Sequence, residues 1–103
     1  MPTRFEIGNE HEVERGWEYE VTRHAGDATA HTVRLDWRDH DHWSGGSAPP
    51  SRVIAAVLDA LADAIEQGAR TPEPLPEQFD ASTVRRWTPG LDESVRDRLS
   101  AVG

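Results

Sequence analysis

The chain has 103 residues and a mass of 11.5 kDa, which is enough for one hydrophobic core but not for two. Its 19 acidic residues outnumber its 11 basic ones, all of them arginine, so the net charge is −8. None of the segments 1–30, 31–50, 51–70 and 71–103 is net basic, and this argues against nucleic acid or an anionic membrane as a direct partner.

Cysteine is absent, which excludes disulfides, thiolate metal sites and thiol nucleophiles. The sequence has no apolar run at its N-terminus and no apolar stretch of 18 residues. It therefore predicts a small soluble protein of the cytoplasm, with neither a signal peptide nor a membrane span.

Alternation of apolar and polar residues predicts three strands in the first third of the chain. A turn at 8–10 separates the first strand from the second, and a loop at 24–30 separates the second from the third. The residues expected on the buried face are, in chain order, Phe5 and Ile7, then Val13, Trp17, Tyr19 and Val21, then Val33, Leu35 and Trp37. Together the three strands predict an antiparallel meander.

A long helix is predicted after the breaker segment 44–50, which contains two glycines and two prolines. Gly68 marks its end. The apolar stripe of this helix comprises Val53, Ile54, Val57, Leu58, Leu61 and Ile65. The stripe needs an apolar surface to cover, and the buried face of the sheet is the expected one.

The C-terminal third is predicted to extend the same domain. Prolines at 72, 74 and 76 make residues 71–78 a semi-rigid connector. Two short helices follow within 79–103, one after Asp80 and one after Asp92. Residues 1–103 are thus predicted to form a single α+β domain of two layers, in which a three-stranded meander packs against one long helix.

The densest group of titratable residues lies where the third strand should end, between Asp36 and Trp43. In an extended chain the imidazoles of His40 and His42 lie on one face. Such a pair is suited to a divalent metal ion, with a third ligand from His24 or His31. The residues predicted as metal ligands are Asp36, Asp39, His40, Asp41 and His42.

Two alternatives to a metal site stay open for this cluster. The histidines and carboxylates are suited to general acid–base catalysis near neutral pH. They also fit a polar loop in which the side chains bond to local backbone groups. The spacing matches no metal-binding signature with a known mechanism.

A second candidate site is an anion-binding turn before the long helix, formed by Gly45, Gly46 and Ser47 with Arg52. Unpaired N–H groups at a helix N-terminus favour a phosphate or carboxylate. The alternative is that these glycines and the following prolines only turn the chain from strand to helix.

A third candidate site is a contact surface for a partner. Trp43 and Trp87 lie outside the strongly periodic runs, and Arg86 lies beside Trp87. We therefore predict that these three residues contact a partner. The acidic run 10–14 is interpreted as a solvated strand edge whose charges discourage aggregation.

The function predicted from these features is that of a non-catalytic interaction or regulatory module, acting through contacts with another protein or with itself. A homo-oligomer without a cofactor is expected. The alternative is a metal-binding protein or a small metal-dependent enzyme that uses the loop Asp36–Ser47. Convergence of His40 and His42 in a pocket would favour that alternative.

Overall fold

The structure, a computed structural model, describes residues 3–100. Its sheet has the strand order β1-β2-β3-β4, in which the first three strands are antiparallel and β4 is parallel to β3. The prediction of an α+β fold is confirmed. The elements are β1 (Arg4–Val13), β2 (Gly16–Ala25), β3 (Asp27–Asp36), α1 (Trp37–Ser44), α2 (Pro50–Glu66), β4 (Gln78–Asp80), a 3₁₀ helix (Ala81–Arg86) and α3 (Leu91–Ser100).

The fourth strand corrects the prediction of a three-stranded sheet. Residues 78–80 pair with β3, and the central pair joins Val33 to Phe79. Phe79 is buried in the core. A strand of three residues is too short to show an alternating pattern, and its flanking prolines favoured a connector.

The first hairpin turns later than predicted. The predicted turn at 8–10 is a β-bulge within β1, between Ile7 and Glu10, and such an insertion bends a strand without ending it. The chain turns instead at residues 14–15, where Arg15 has a φ of 64°. The next residue is Gly16, and a larger residue would not fit there because its Cβ would lie 2.2 Å from the carbonyl oxygen of Leu35.

The predicted loop at 24–30 is also wrong, because both neighbouring strands continue through it. β2 and β3 remain paired as far as Ala25 and Asp27, and the chain reverses at Gly26, whose φ is 92°. Pairing satisfies the backbone hydrogen bonds of a stretch whose small and polar side chains carry no apolar pattern.

The predicted core is largely confirmed. One hydrophobic cluster joins Tyr19, Val21, Val33 and Leu35 of the sheet to Ile54, Val57, Leu58 and Leu61 of α2, each at most 2% exposed. Trp17 is only partly buried at the margin of this cluster. Trp37 contradicts the prediction, because it begins α1 and is 55% exposed.

α2 and α3 agree with the prediction in position, whereas α1 lies where a loop was predicted. α2 begins next to Pro49 and ends shortly before Gly68, whose φ is 91°. The segment after Asp80 is 3₁₀ rather than α-helical. Within the predicted extension 79–103, residues 101–103 lie outside the described residues, and the single-domain organisation of the whole chain stays a prediction.

The proline-rich connector is attached to the sheet. Leu75 is buried in the core. The Nδ1 atom of His31 donates to the carbonyl oxygen of Pro76 at 2.7 Å, and the backbone N–H of Thr32 donates to the carbonyl oxygen of Glu77 at 2.7 Å. These contacts bring residues 78–80 beside β3.

Candidate functional site

The predicted metal ligands lie on a helix instead of a loop. α1 begins directly after β3, with Asp36 as its N-cap and the Asp36 carboxylate accepting from the N–H of Arg38. On a helix, residues two apart point in different directions. The expectation that His40 and His42 share a face is therefore wrong.

The two histidines make separate contacts. Nε2 of His40 donates to the carbonyl oxygen of Ala48 at 2.7 Å, and its ring meets Trp17 edge-on at 5.1 Å. Nε2 of His42 lies 3.7 Å from a carboxylate oxygen of Asp92 and 3.3 Å from the guanidinium of Arg96. His40 thus supports the turn into α2, whereas His42 faces α3.

The carboxylates of the cluster are similarly separated. Asp39 faces Arg85 of the 3₁₀ helix across 3.4 Å, while the Asp41 side chain is exposed. Among the residues that the structure describes, 3–100, no three histidine or carboxylate side chains form a group that could hold a metal ion. The metal and acid–base hypotheses gain no support from this arrangement.

Asp92 forms the centre of a polar network that joins α1, the 3₁₀ helix and α3. Its Oδ1 accepts from the indole N–H of Trp43 at 2.7 Å and from Nε of Arg85 at 2.9 Å. The Arg85 guanidinium also lies 4.7 Å from the Trp43 ring centre. Burial alone raises the pKa of Asp92, but the hydrogen bonds from Trp43 and Arg85 and the Arg85 charge lower it overall.

The predicted anion-binding turn closes α1 rather than opening α2. Gly45 is the left-handed C-cap of α1, and its N–H donates to the carbonyl oxygen of Asp41. Gly46 follows it with a φ of 81°, and Ser47 bonds back to Ser44 through both its N–H and its hydroxyl. Arg52 points elsewhere, toward the carbonyl oxygen of Leu99 at 3.5 Å.

Both tryptophans that were predicted to contact a partner are buried. Trp43 is 3% exposed and Trp87 is 9% exposed, because each indole fills space between the C-terminal elements and the core. Trp87 meets Phe79 edge-on at 5.3 Å. Arg86 is exposed, and the exposed aromatic residue is Trp37, which its alternating context had placed in the core.

The outer face of the sheet is not covered by any helix of the described structure. Its inner face carries the core residues, whereas its outer face carries polar side chains that are exposed or half-buried, namely Glu18, Glu20, Thr22, Thr32, Arg34 and Asp36. One depression on this face has a volume of about 490 Å³ and is lined by residues that include Glu18, Arg34 and Asp80. A shallow polar surface of this kind fits a protein contact better than an apolar ligand.

Arg34 lies at the centre of the outer face. One Nη atom donates to the carbonyl oxygen of Glu14 at 2.7 Å, while its buried Nε atom has no partner in the described part of the chain. Its strand neighbours in register are Glu18 and Asp80, but neither carboxylate lies within 4.0 Å of the guanidinium in the described structure. The bond to Glu14 instead holds the first turn against β3.

The sheet also has a long free edge. β1 is ten residues long and pairs with β2 on one side, and on its other side no strand of residues 3–100 lies beside it. We call this side of β1 the β1 edge. The opposite edge of the sheet is the three-residue β4, which leads directly into the 3₁₀ helix. The β1 edge therefore offers the longer row of backbone hydrogen-bonding groups.

Cross-strand pairing determines which β1 side chains lie on each face. Phe5 and Ile7 lie on the inner face and are partly buried against the core. Beyond the bulge, Glu10 and Glu12 take inner-face positions, because they pair with Tyr19 and Trp17, yet both are exposed. The β1 edge is thus partly apolar before the bulge and acidic after it.

Glu10 is held in place by a buried phenol. The hydroxyl of Tyr19 donates to the Glu10 carboxylate. Burial, together with this hydrogen bond and the nearby negative charge, raises the pKa of Tyr19 far above its ordinary value. The phenol therefore stays neutral and keeps donating at any physiological pH.

In comparisons with known proteins, no protein-family model, curated protein or solved structure matches the chain. Within residues 3–100, no helix has both the length and the apolar character needed to cross a membrane.

Proposed function

We propose that the chain is a non-catalytic interaction module that binds a protein partner through its open sheet. The partner is either another protein or a second copy of this chain, so homo-oligomerisation is one form of the proposal. The observation that carries it is the ten-residue β1 edge, which no other strand covers in the described structure. Addition of a strand to such an edge is a common mode of protein recognition.

The positions of the helices support the same proposal, because they leave the outer face and the β1 edge accessible to a partner. α2 shares the core with the inner face, and the Asp92 network ties α1 and the 3₁₀ helix to α3. The outer face and the β1 edge are outside both arrangements. A partner can therefore bind there without displacing a core residue.

The bulge provides a variant that blocks the edge selectively. Gly8 and Asn9 have no partner in the β1–β2 register. Proline in Asn9→Pro adds a ring and removes one backbone N–H from β1 at the bulge, where proline is tolerated. Asn9→Ala is the matched control, and thermal melts followed by circular dichroism verify that both variants fold.

The test combines sedimentation with recovery of partners from an extract of the organism that makes the protein. We expect self-association, or retention of a specific protein, with the wild-type and Asn9→Ala chains and its loss with Asn9→Pro. A monomer at 200 micromolar that retains no protein sensitive to Asn9→Pro would contradict the proposal.

A further inference from the structure

We infer that the β1 edge binds an extended, basic segment of another protein in preference to a second copy of this chain. This inference rests on the proposed function and names the class of partner. The segment carries arginine or lysine opposite the acidic positions of β1 and apolar side chains beside Phe5 and Ile7. Charge complementarity and the partly buried apolar residues at the edge are the two observations that support it.

The negative charge of the chain is concentrated beside this edge. Residues 1–30 contain seven acidic residues and three arginines, so they carry half of the net charge of −8. The first hairpin contributes most of these carboxylates, which are Glu6, Glu10, Glu12, Glu14, Glu18 and Glu20. An approaching basic segment meets an excess of negative charge between Glu6 and Glu14.

These carboxylates have almost no positive partner of their own. Glu6 lies 3.1 Å from His24, and Glu20 lies 3.9 Å from His11. Across residues 3–100, no arginine side chain comes within 4.0 Å of any carboxylate on the first hairpin. Where the protein pairs its carboxylates with arginine, it does so elsewhere, as in Arg85–Asp92 and Arg98–Asp63.

Self-pairing is disfavoured by the same charges. Two copies of β1 carry the same excess of glutamate, and any glutamates that come directly opposite each other would destabilise the strand pair. A basic segment reverses the sign of this interaction. The backbone hydrogen bonds at the edge would be equivalent in both cases, so charge decides between the two occupants.

The apolar half of the edge selects an amphipathic segment. Phe5 and Ile7 lie on the inner face next to the open side, partly buried against the core. An added strand would cover them with the side chains on its own inner face. Before the bulge, a strand in which basic and apolar residues alternate would place its apolar side chains beside Phe5 and Ile7 and its basic ones on the outer face beside Glu6.

Two synthetic peptides test the inference. The probe is a nine-residue, N-acetylated peptide amide in which lysine alternates with valine, and the control peptide has glutamate in place of each lysine. Binding is followed by backbone-amide NMR of the full chain at 50 and 300 mM NaCl. We expect the lysine peptide to shift the amides of β1, to bind at least about tenfold more tightly than the control, and to weaken with salt.

Charge variants of the chain locate the contact. Glu6→Gln with Glu12→Gln removes two charges at the β1 edge, and Glu66→Gln with Glu77→Gln removes two exposed charges elsewhere. Glu10 is left intact because it accepts from Tyr19. The edge pair should weaken binding of the lysine peptide about fivefold, and the control pair less than about twofold.

Other outcomes overturn the inference. Equal binding of the two peptides, shifts confined to amides outside β1 and its neighbours, or no binding of the lysine peptide to the folded wild-type chain would each do so. Dimerisation through β1 that strengthens with salt would make a second copy the occupant. If Asn9→Pro still abolishes an interaction while the lysine peptide fails to bind, only this inference falls and the proposed function stands.

Discussion

At the scale of single residues, Asp92 shows how one carboxylate can fix several elements. Its two hydrogen-bond donors come from α1 and the 3₁₀ helix, and the residue itself lies in the first turn of α3. The Trp43 indole is buried, so its N–H needs an acceptor. A carboxylate in this position satisfies Trp43 and also neutralises Arg85.

Replacing Asp92 by asparagine should lower stability in a pH-dependent way. The side chain of Asn retains an oxygen for Trp43 but loses the charge that pairs with Arg85. Because folding lowers the pKa of Asp92, its stabilisation is present above the unfolded pKa of about 4. It is lost as the pH falls through the lower folded value.

Urea unfolding at pH 7, 5 and 3 measures this effect. Asp92→Asn should be less stable than the wild type by about 0.5–1 kcal/mol at pH 7 and 5, the range for a partly exposed ion pair. The difference should shrink at pH 3. Asp97→Asn on the same helix is the control, because Asp97 is exposed and has no arginine within 4.0 Å among the described residues. A difference that grows toward pH 3 would contradict the assignment.

At the scale of elements, length and apolar pattern decide what the sequence predicts. α2 has 17 residues and a continuous apolar stripe, so its position and most of its buried residues were predicted correctly, with Ile65 only partly buried. α1 has eight residues, six of them charged, histidine or serine, so nothing in its periodicity indicated a helix. Its helical form depends on the Asp36 cap and on burial of Trp43 against distant residues.

The candidate site was predictable only in part for the same reason. The acidic run 10–14 identified a strand edge from sequence, but the length of β1 could not be read because the bulge shifts its alternation after Ile7. Trp43 and Trp87 were assigned to the surface because their burial depends on packing between elements far apart in sequence. Local periodicity carries no information about such contacts.

Truncation of Leu58 tests how firmly α2 is docked. Leu58 is 1% exposed within the core cluster, so Leu58→Ala should cost about 2–5 kcal/mol of unfolding free energy. Glu66→Ala at the exposed end of α2 should change it by less than about 0.5 kcal/mol. Urea unfolding of both variants measures the difference. A loss below 0.5 kcal/mol for Leu58→Ala would mean that α2 does not dock on the sheet.

At the scale of the whole molecule, the charges that pair with one another and the charges that are available to a partner lie on different elements. The helices carry ion pairs such as Arg98–Asp63, while the first hairpin carries carboxylates without arginine partners. Neighbouring carboxylates on one hairpin repel one another and destabilise the isolated fold. The surface that is least favourable in the free protein is thus the one best suited to a basic partner.

This imbalance predicts that salt stabilises the free protein, and that the first hairpin is responsible for much of the effect. Added salt screens repulsion between exposed charges that lie farther apart than about 8 Å at physiological ionic strength. Urea, which is uncharged, is the appropriate denaturant, and the unfolding midpoint should rise between 20 and 300 mM NaCl.

Glu12→Gln with Glu14→Gln should stabilise the protein by roughly 0.5 kcal/mol at low salt. It should also reduce the response to salt. Glu66→Gln with Glu77→Gln removes the same charge from exposed positions outside the first hairpin and should do both to a smaller extent. Equal effects of the two pairs would show that net charge, and not its concentration on the hairpin, governs the response.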